Sequence, residues 1–278
     1  MPFFRQHDRP LVFAHRGGRS LGPENTVVAF DLGMAAGADG LEFDVHLAAD
    51  GRVVIIHDPT LDRSTTASGD VHTFSSAELA AMNATPRFGI DLELPWSGPQ
   101  AGLPTLDDVL ARYPAASLII EMKGERPALG PAVVEAVRRA GAASRVCLGS
   151  FSSAVLAAAR AAGPEMATSA SREEALKALQ RSWIWLSPGR VAYKAFQVPE
   201  RAGRLRVVSR RFVRAVHRAG CAVHVWTVNE EADMRRLFDW GIDAIITDRP
   251  DLAVRVRDKW ASNCLDVTKP LRYEGRSL

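Results

Sequence analysis

Three short segments carry the side chains that could do chemistry together. In Gly40–His46 the order is G-L-E-F-D-V-H. Strand side chains alternate, so Glu42, Asp44 and His46 fall on one face and Leu41, Phe43 and Val45 on the other. Two carboxylates at that spacing repel. At roughly 6–7 Å the cost is about 2–3 kcal/mol with an effective dielectric near 20. A cation or a proton has to offset it. The segment Ile119–Lys123, I-I-E-M-K, adds Glu121 and Lys123 on one face. A third carboxylate from a neighbouring strand completes an all-oxygen site. Such a site suits a hard cation, Mg²⁺ or Ca²⁺, rather than zinc. The plainer alternative is a buried ion pair of Lys123 with one carboxylate, but a single lysine leaves two carboxylates unbalanced.

Two histidines complete the set. Asp50-Gly51 between apolar runs predicts a two-residue hairpin. In that register Ala49 faces Arg52 and Asp44 faces His57, with opposed residues pointing to one side. A slip of one residue would turn His57 away. His15 ends the apolar run Leu11–Ala14 and precedes Arg16-Gly17-Gly18. The glycines permit a tight turn and close approach of a ligand to backbone N–H groups. Arg16 offers a planar fork for a phosphate or carboxylate. Two imidazoles beside a divalent site suit acid–base cleavage of a phosphodiester. One accepts a proton from the nucleophile, and the other donates one to the leaving oxygen. The metal and nearby cations offset charge on the phosphorus oxygens.

These residues must sit on a scaffold, and the pattern specifies one. Central strands are predicted near residues 12, 42, 119, 146, 167, 195, 224 and 245, each followed by a helix. The first helix is predicted over Pro23–Gly37, with Pro in its first turn and Glu24 at its positive end. Ser209 caps another, over Ser209–Ala219. Alternating β and α elements imply parallel strands, because parallel neighbours need a crossover. Eight units in this length fit an α/β fold, a closed (β/α)8 TIM barrel, whose C-terminal strand ends carry the chemistry. A doubly wound open sheet is the alternative. The chain reads as one domain over 1–278 with two interruptions. Residues 59–104, rich in Pro, Gly and Thr, read as a small subdomain inserted after the second strand unit. Residues 260–278 read as a polar tail without periodicity.

Composition narrows the class. The 278 residues are 47% hydrophobic and 24% charged, which is globular and excludes long disorder. No apolar run reaches the roughly 20 residues of a membrane span, and no signal-peptide pattern opens the chain. Cys147, Cys221 and Cys264 are too few and too far apart for a disulfide framework, so a reducing, cytoplasmic setting is expected. Thirty of the 35 basic residues are Arg, gathered mostly in the C-terminal part on helix faces such as Arg210–Arg218. These read as solvated faces, and nucleic acid is not an expected partner.

The motifs resemble the glycerophosphodiester phosphodiesterase family, among the PLC-like phosphodiesterase barrels. They are HRGG at 15–18, PENT at 23–26, GADGLEFDVHLAADGRVVIIHDPTLDRST at 37–65, IEMKG at 120–124 and VWTVN at 225–229. The resemblance runs from about residue 10 to 255 and includes the insertion. It implies a TIM barrel that hydrolyses glycerophosphodiesters to an alcohol and sn-glycerol 3-phosphate. It implies His15 and His57 as the acid–base pair, and Glu42, Asp44 and Glu121 as ligands of Mg²⁺ or Ca²⁺. Arg16 and Lys123 would contact phosphate, Glu24 and Asn25 would border the first-strand site, and Trp226 would line the pocket. A second enzymatic reading is a lysophospholipase D, its acyl chain lying along Phe74, Met82, Phe88, Ile90, Leu92 and Trp96 of the insertion. The plainer role for those six is the insertion's own core. A non-catalytic phosphate-binding barrel is the remaining alternative.

Other residues take structural expectations. His46 fills the barrel mouth or joins the site. Asp248 caps the last helix, and His224 packs inside the barrel. His72 and His217 lie on the surface without partners. Trp183 and Trp185 pack under a loop.

Overall fold

The structure is a computed structural model and describes residues 9–84 and 101–267. The chain runs β1 (Leu11–His15), α1 (Val27–Ala35), β2 (Gly40–Leu47), β3 (Val53–Ile55) and α2 (Ser76–Ala81). It continues through α3 (Leu106–Arg112), β4 (Ser117–Met122), α4 (Leu129–Arg139), β5 (Val146–Gly149), α5 (Ser153–Ala162), β6 (Ala167–Thr168) and α6 (Arg172–Trp183). The last part holds β7 (Ala195–Pro199), the small hairpin β8 (Arg201–Ala202) and β9 (Leu205–Arg206), α7 (Arg210–His217), β10 (Ala222–Trp226), α8 (Glu231–Asp239), β11 (Ala244–Thr247) and α9 (Pro250–Val267).

The parallel strands follow the order β6-β5-β4-β2-β1-β11-β10-β7. A parallel bridge between Ser169 and Ala195 joins the two ends. Ala170 N–H donates to the Ala195 carbonyl at 2.8 Å, and Lys194 N–H donates to the Thr168 carbonyl at 2.9 Å. The sheet thereby becomes a (β/α)8 barrel, with all eight expected strands in place. Leu41, Phe43 and Val45 face outward into the core shared with the helices, together with Phe30, Val109 and Val133. Leu11, Phe13, Ile119, Cys147, Ala195, Ala244 and Ile246 fill the interior. Glu42, Asp44 and Glu121 occupy inward positions above that plug, level with the C-terminal ends of β1 and β4.

Four local features differ from expectation. The first helix does not start at Pro23. Asn25 adopts a left-handed φ of 60°, which a helix cannot contain, and Thr26 is the cap, accepting from Ala29 N–H. The hairpin register is one residue off, pairing Val45 with Ile55, His46 with Val54 and Leu47 with Val53. Its loop has three residues, with Ala48 N–H on the Arg52 carbonyl at 2.9 Å and Gly51 at φ 78°. That is the second favoured hairpin geometry. The Asp50 carboxylate is drawn aside by the Ser76 hydroxyl at 2.7 Å. The third feature is the last helix, which continues to Val267, into the segment read as a tail. Finally, Trp183 and Trp185 are exposed rather than packed under a loop.

Of the insertion, Phe74 and Met82 pack on a separate small cluster that includes Val54, Ile56, Leu61, Leu79 and Leu103. Phe88, Ile90, Leu92 and Trp96, like residues 268–278, lie outside the described residues.

One buried ion pair ties the last helix to the start of the barrel. Arg257, 2% exposed, reaches Asp39 at 2.5 Å, and Asp39 accepts the Val12 N–H at 2.9 Å. Removing Arg257 leaves the partly buried Asp39 with the exposed Arg9, at 3.2 Å, as its remaining cation. Arg257→Ala should lower the unfolding free energy by about 3 kcal/mol in urea titration; a loss below about 1 kcal/mol would show the pair to be dispensable.

Candidate active site

Ladder register brings the acidic residues together. β1 pairs with β2 so that His15 stands beside Glu42. β2 pairs with β4 so that Asp44 stands beside Glu121. In the next strand Glu121 meets Gly149. A Cβ at Gly149 would stand 2.5 Å from Glu121 Oε2 and 2.9 Å from Gln197 Oε1, so a glycine is needed for the carboxylate to fit. One cavity of about 810 Å³ is lined by His15, Arg16, Glu42, Asp44, His57, Glu121, Lys123 and Trp226. Eight of the ten expected site residues therefore meet in one place.

The other two do not line it. Glu24 accepts from Arg16 at 2.8 Å and from Arg63 at 2.6 Å. The Asn25 amide donates to Asp44 at 3.1 Å. Both hold residues that face the cavity, Glu24 through Arg16 and Asn25 through Asp44.

Charge is unevenly satisfied among the three carboxylates. Asp44 has Lys123 Nζ at 3.0 Å and Arg16 Nε at 3.2 Å. Burial opposes its ionisation, but those two cations outweigh it and hold its pKa below the ordinary value. Glu121 has no such partner, and Glu42 has only His15 Nε2, at 3.9 Å. Burial and the neighbouring acids push Glu42 up to about 7 and Glu121 to about 8. The ion pair between Lys123 and one carboxylate thus exists, and it leaves two carboxylates short of positive charge.

Each histidine has a carboxylate at Nδ1. His15 Nδ1 lies 2.6 Å from Asp248, and its Nε2 lies 3.9 Å from Glu42. Burial alone would lower its pKa; Asp248 and Glu42 outweigh that and raise it. His57 Nδ1 lies 2.5 Å from Asp58, which Arg63 also grips. For His57 burial dominates and lowers the pKa, despite Asp44 and Asp58. With Nδ1 engaged, both rings keep Nε2 for proton transfer.

His57 reaches the cavity by a route the hairpin argument does not give. The ladder stops at Ile55, Ile56 N–H closes on the Asp44 carbonyl at 3.0 Å, and the chain turns. His46 Nε2 lies 3.1 Å from the His57 carbonyl, which makes His46 a positioning residue. Asp248 is a second correction. Rather than capping the last helix, it joins His15 to Asn229, whose amide donates to it at 2.8 Å. His224 is buried in the barrel as expected. His217 does have a partner, Asp243 at 2.7 Å.

Sequence reasoning missed Asp58, Asn229 and Phe151 as parts of the site. Asp58 directly follows His57, and Asn229 ends the VWTVN segment, so adjacency was the available signal. Phe151 N–H donates to Glu121 at 3.1 Å. Its ring stands edge-on to Trp226 at 5.9 Å and beneath Lys123 at 5.6 Å. No sequence pattern marks it.

This arrangement can be set beside known proteins. The model of the glycerophosphoryl diester phosphodiesterase family matches residues 15–252. The chain belongs to that family. It is 30% identical to the Bacillus subtilis protein YhdW over 250 residues, 88% of this chain and 96% of that one. A crystal structure of glycerophosphodiester phosphodiesterase from Agrobacterium tumefaciens superposes with a TM-score of 0.71 at 28% identity, covering 88% of this chain and 99% of that one. An Oleispira antarctica phosphodiesterase, solved with the product sn-glycerol-3-phosphate, superposes with a TM-score of 0.70 at 26% identity, covering 90% and 97%.

The histidine environments predict an effect on pH dependence. Asp248 favours the charged form of His15, so Asp248→Asn should lower the His15 pKa. The alkaline limb of the kcat/KM profile should move toward lower pH by about one pH unit, while the acidic limb stays. An unmoved alkaline limb would detach Asp248 from the proton-transfer step.

Proposed function

We propose that this protein hydrolyses glycerophosphodiesters to an alcohol and sn-glycerol 3-phosphate, by acid–base catalysis between His15 and His57. The observation that carries this reading is the pairing of each imidazole with its own carboxylate at the wall of one cavity that also holds Arg16 and Lys123. One ring takes the proton of the attacking oxygen, from water or from the neighbouring glycerol hydroxyl. The other delivers a proton to the alcohol oxygen as its bond to phosphorus breaks. Asp248 and Glu42 favour the charged form of His15, and burial favours the neutral form of His57. Arg16 and Lys123 meet the phosphate oxygens. Trp226 and Phe151 form the wall beside the reacting group.

We further propose that Glu42, Asp44 and Glu121 bind one divalent cation, Mg²⁺ or Ca²⁺. The donor chemistry fits: all donors are carboxylate oxygens, and two of the three are short of positive charge. Among the described residues, no three acidic, imidazole or thiol side chains are arranged around an ion position, with Lys123 and Arg16 standing on Asp44. The fit therefore rests on donor type and charge. Such an ion would offset charge on the phosphorus oxygens.

The apolar side of the cavity supports a second substrate. Ala175, Leu176, Leu179, Val198 and Leu205 also line it, and they could take the acyl chain of a lysophospholipid. In the described residues this groove comes from α6 and the β8–β9 hairpin. Phe74 and Met82, the two described members of the insertion set, serve the insertion's own core.

The tests separate these claims. His15→Ala and His57→Ala should each lose at least about 10²-fold in turnover of glycerophosphocholine, with sn-glycerol 3-phosphate as the phosphorylated product of the wild type. Near-full activity in either variant would overturn the pair. EDTA should abolish turnover, and Mg²⁺ or Ca²⁺ should restore it; indifference to chelation would remove the cation. Lysophosphatidylcholine turned over within about tenfold of glycerophosphocholine would support the apolar groove as an acyl site. No turnover of the lysolipid would exclude it.

A further inference from the structure

The end of α6 and the chain that follows it carry an apolar, arginine-rich segment that the chemistry above does not use. α6 ends at Trp183, and the chain then holds four large apolar side chains in solvent. Trp183 is 50% exposed, Ile184 66%, Trp185 59% and Leu186 46%. Leu176, earlier on α6, and Leu205, on the β8–β9 hairpin, are 48% and 37% exposed and also line the cavity. Patches of this kind mark interaction sites rather than ordinary surface.

The loop is held in this outward form. Arg211 donates to the Trp183 carbonyl at 2.9 Å, and its guanidinium lies 4.5 Å from the centre of the Trp185 ring. Arg181 donates to the Ser187 carbonyl at 2.7 Å. The backbone is fixed while the aromatic and aliphatic side chains face water.

Charge decides the partner. Residues 181–211 contain eight Lys or Arg and a single acidic residue, Glu200. Arg236 already binds Glu200, at 2.9 and 2.8 Å. Among the described residues none of the eight pairs with a carboxylate. A second copy of the chain would bring like charges together. A nucleic acid would neutralise the arginines but leave Ile184 and Leu186 in water. An anionic bilayer answers both features. Its headgroup phosphates meet the arginines, and its interfacial zone takes tryptophan rings and short aliphatic side chains.

We propose that this face docks the protein on an anionic lipid bilayer, with residues 183–186 entering the headgroup region and the cavity mouth held at its surface. Docking stands apart from the hydrolase reading; only the benefit of that orientation for lipid-derived phosphodiesters rests on it.

The test is flotation of the full chain with vesicles of phosphatidylcholine, alone or mixed with phosphatidylglycerol. The protein should float with the anionic vesicles at least about tenfold more than with the neutral ones, and a blue shift of tryptophan emission should accompany binding. The double variant Ile184→Asp, Trp185→Ser should reduce flotation by about tenfold or more with its melting curve unchanged. A single variant, Arg204→Glu, should weaken binding without removing an apolar side chain. Absence of wild-type binding to anionic vesicles would overturn the proposal. So would binding that both variants retain, or a wild-type dimer that the double variant converts to monomer.

Discussion

Three carboxylates on two adjacent strands, Glu42 and Asp44 buried and Glu121 half-buried, set the conditions for the rest of this site. Glu42, Asp44 and Glu121 cannot all be ionised there without outside positive charge. Lys123 and Arg16 supply it to Asp44. Glu42 has only the more distant His15, at 3.9 Å, and Glu121 has no such cation, and their pKa values rise to about 7 and about 8. Even the packing concedes room to these groups, since Gly149 leaves the space that Glu121 occupies. A site that accumulates this much unmet acidity is destabilising in isolation. On our proposal a divalent cation relieves it, which links the fold's stability to the same ion that serves the chemistry.

A second set of contacts joins the two histidine loops. Asp58 bridges His57 to Arg63, and Glu24 takes both Arg63 and Arg16. The HRGG turn after β1 and the HDP turn after β3 are thereby connected through one half-buried carboxylate, Glu24. On the other side, Asp248 and Asn229 tie His15 to the ends of β11 and β10. Each imidazole is oriented by residues from different strands, so its position follows from closure of the barrel rather than from one loop. The network also explains why Glu24 and Asn25 matter without touching the cavity. They fix the arginine and the aspartate that do line it.

The barrel and most of the site were readable before any coordinates, because both follow from short-range patterns. Alternation in GLEFDVH places Glu42 and Asp44 inward whatever the neighbours are, and the strand–helix rhythm makes the sheet parallel. Contacts between distant segments were not readable in that way. Asp248 sits in a segment that looks like a helix cap, and only the β1–β11 ladder reveals that it meets His15. The hairpin shows the opposite case. The Asp-Gly signal is real, but the carboxylate of Asp50 answers to Ser76, and a three-residue loop results. His57 still reaches the cavity, because the strand ends before the slip can carry it to the wrong face. Trp183 and Trp185 were expected under a loop for a simple reason: large apolar side chains are usually covered.

The account turns on unmet negative charge at Glu42 and Glu121, and thermal stability measured against pH tests it most directly. A carboxylate whose folded pKa lies above its unfolded value contributes stability at low pH and loses it as pH rises through the folded pKa. For the chelated protein the melting temperature should therefore fall between about pH 5 and pH 8, the window set by the raised values of these two residues. Millimolar Mg²⁺ or Ca²⁺ should remove most of that fall, and Glu121→Gln should flatten the chelated curve. A chelated protein whose melting temperature is level across this range, and which neither cation stabilises, would contradict the account.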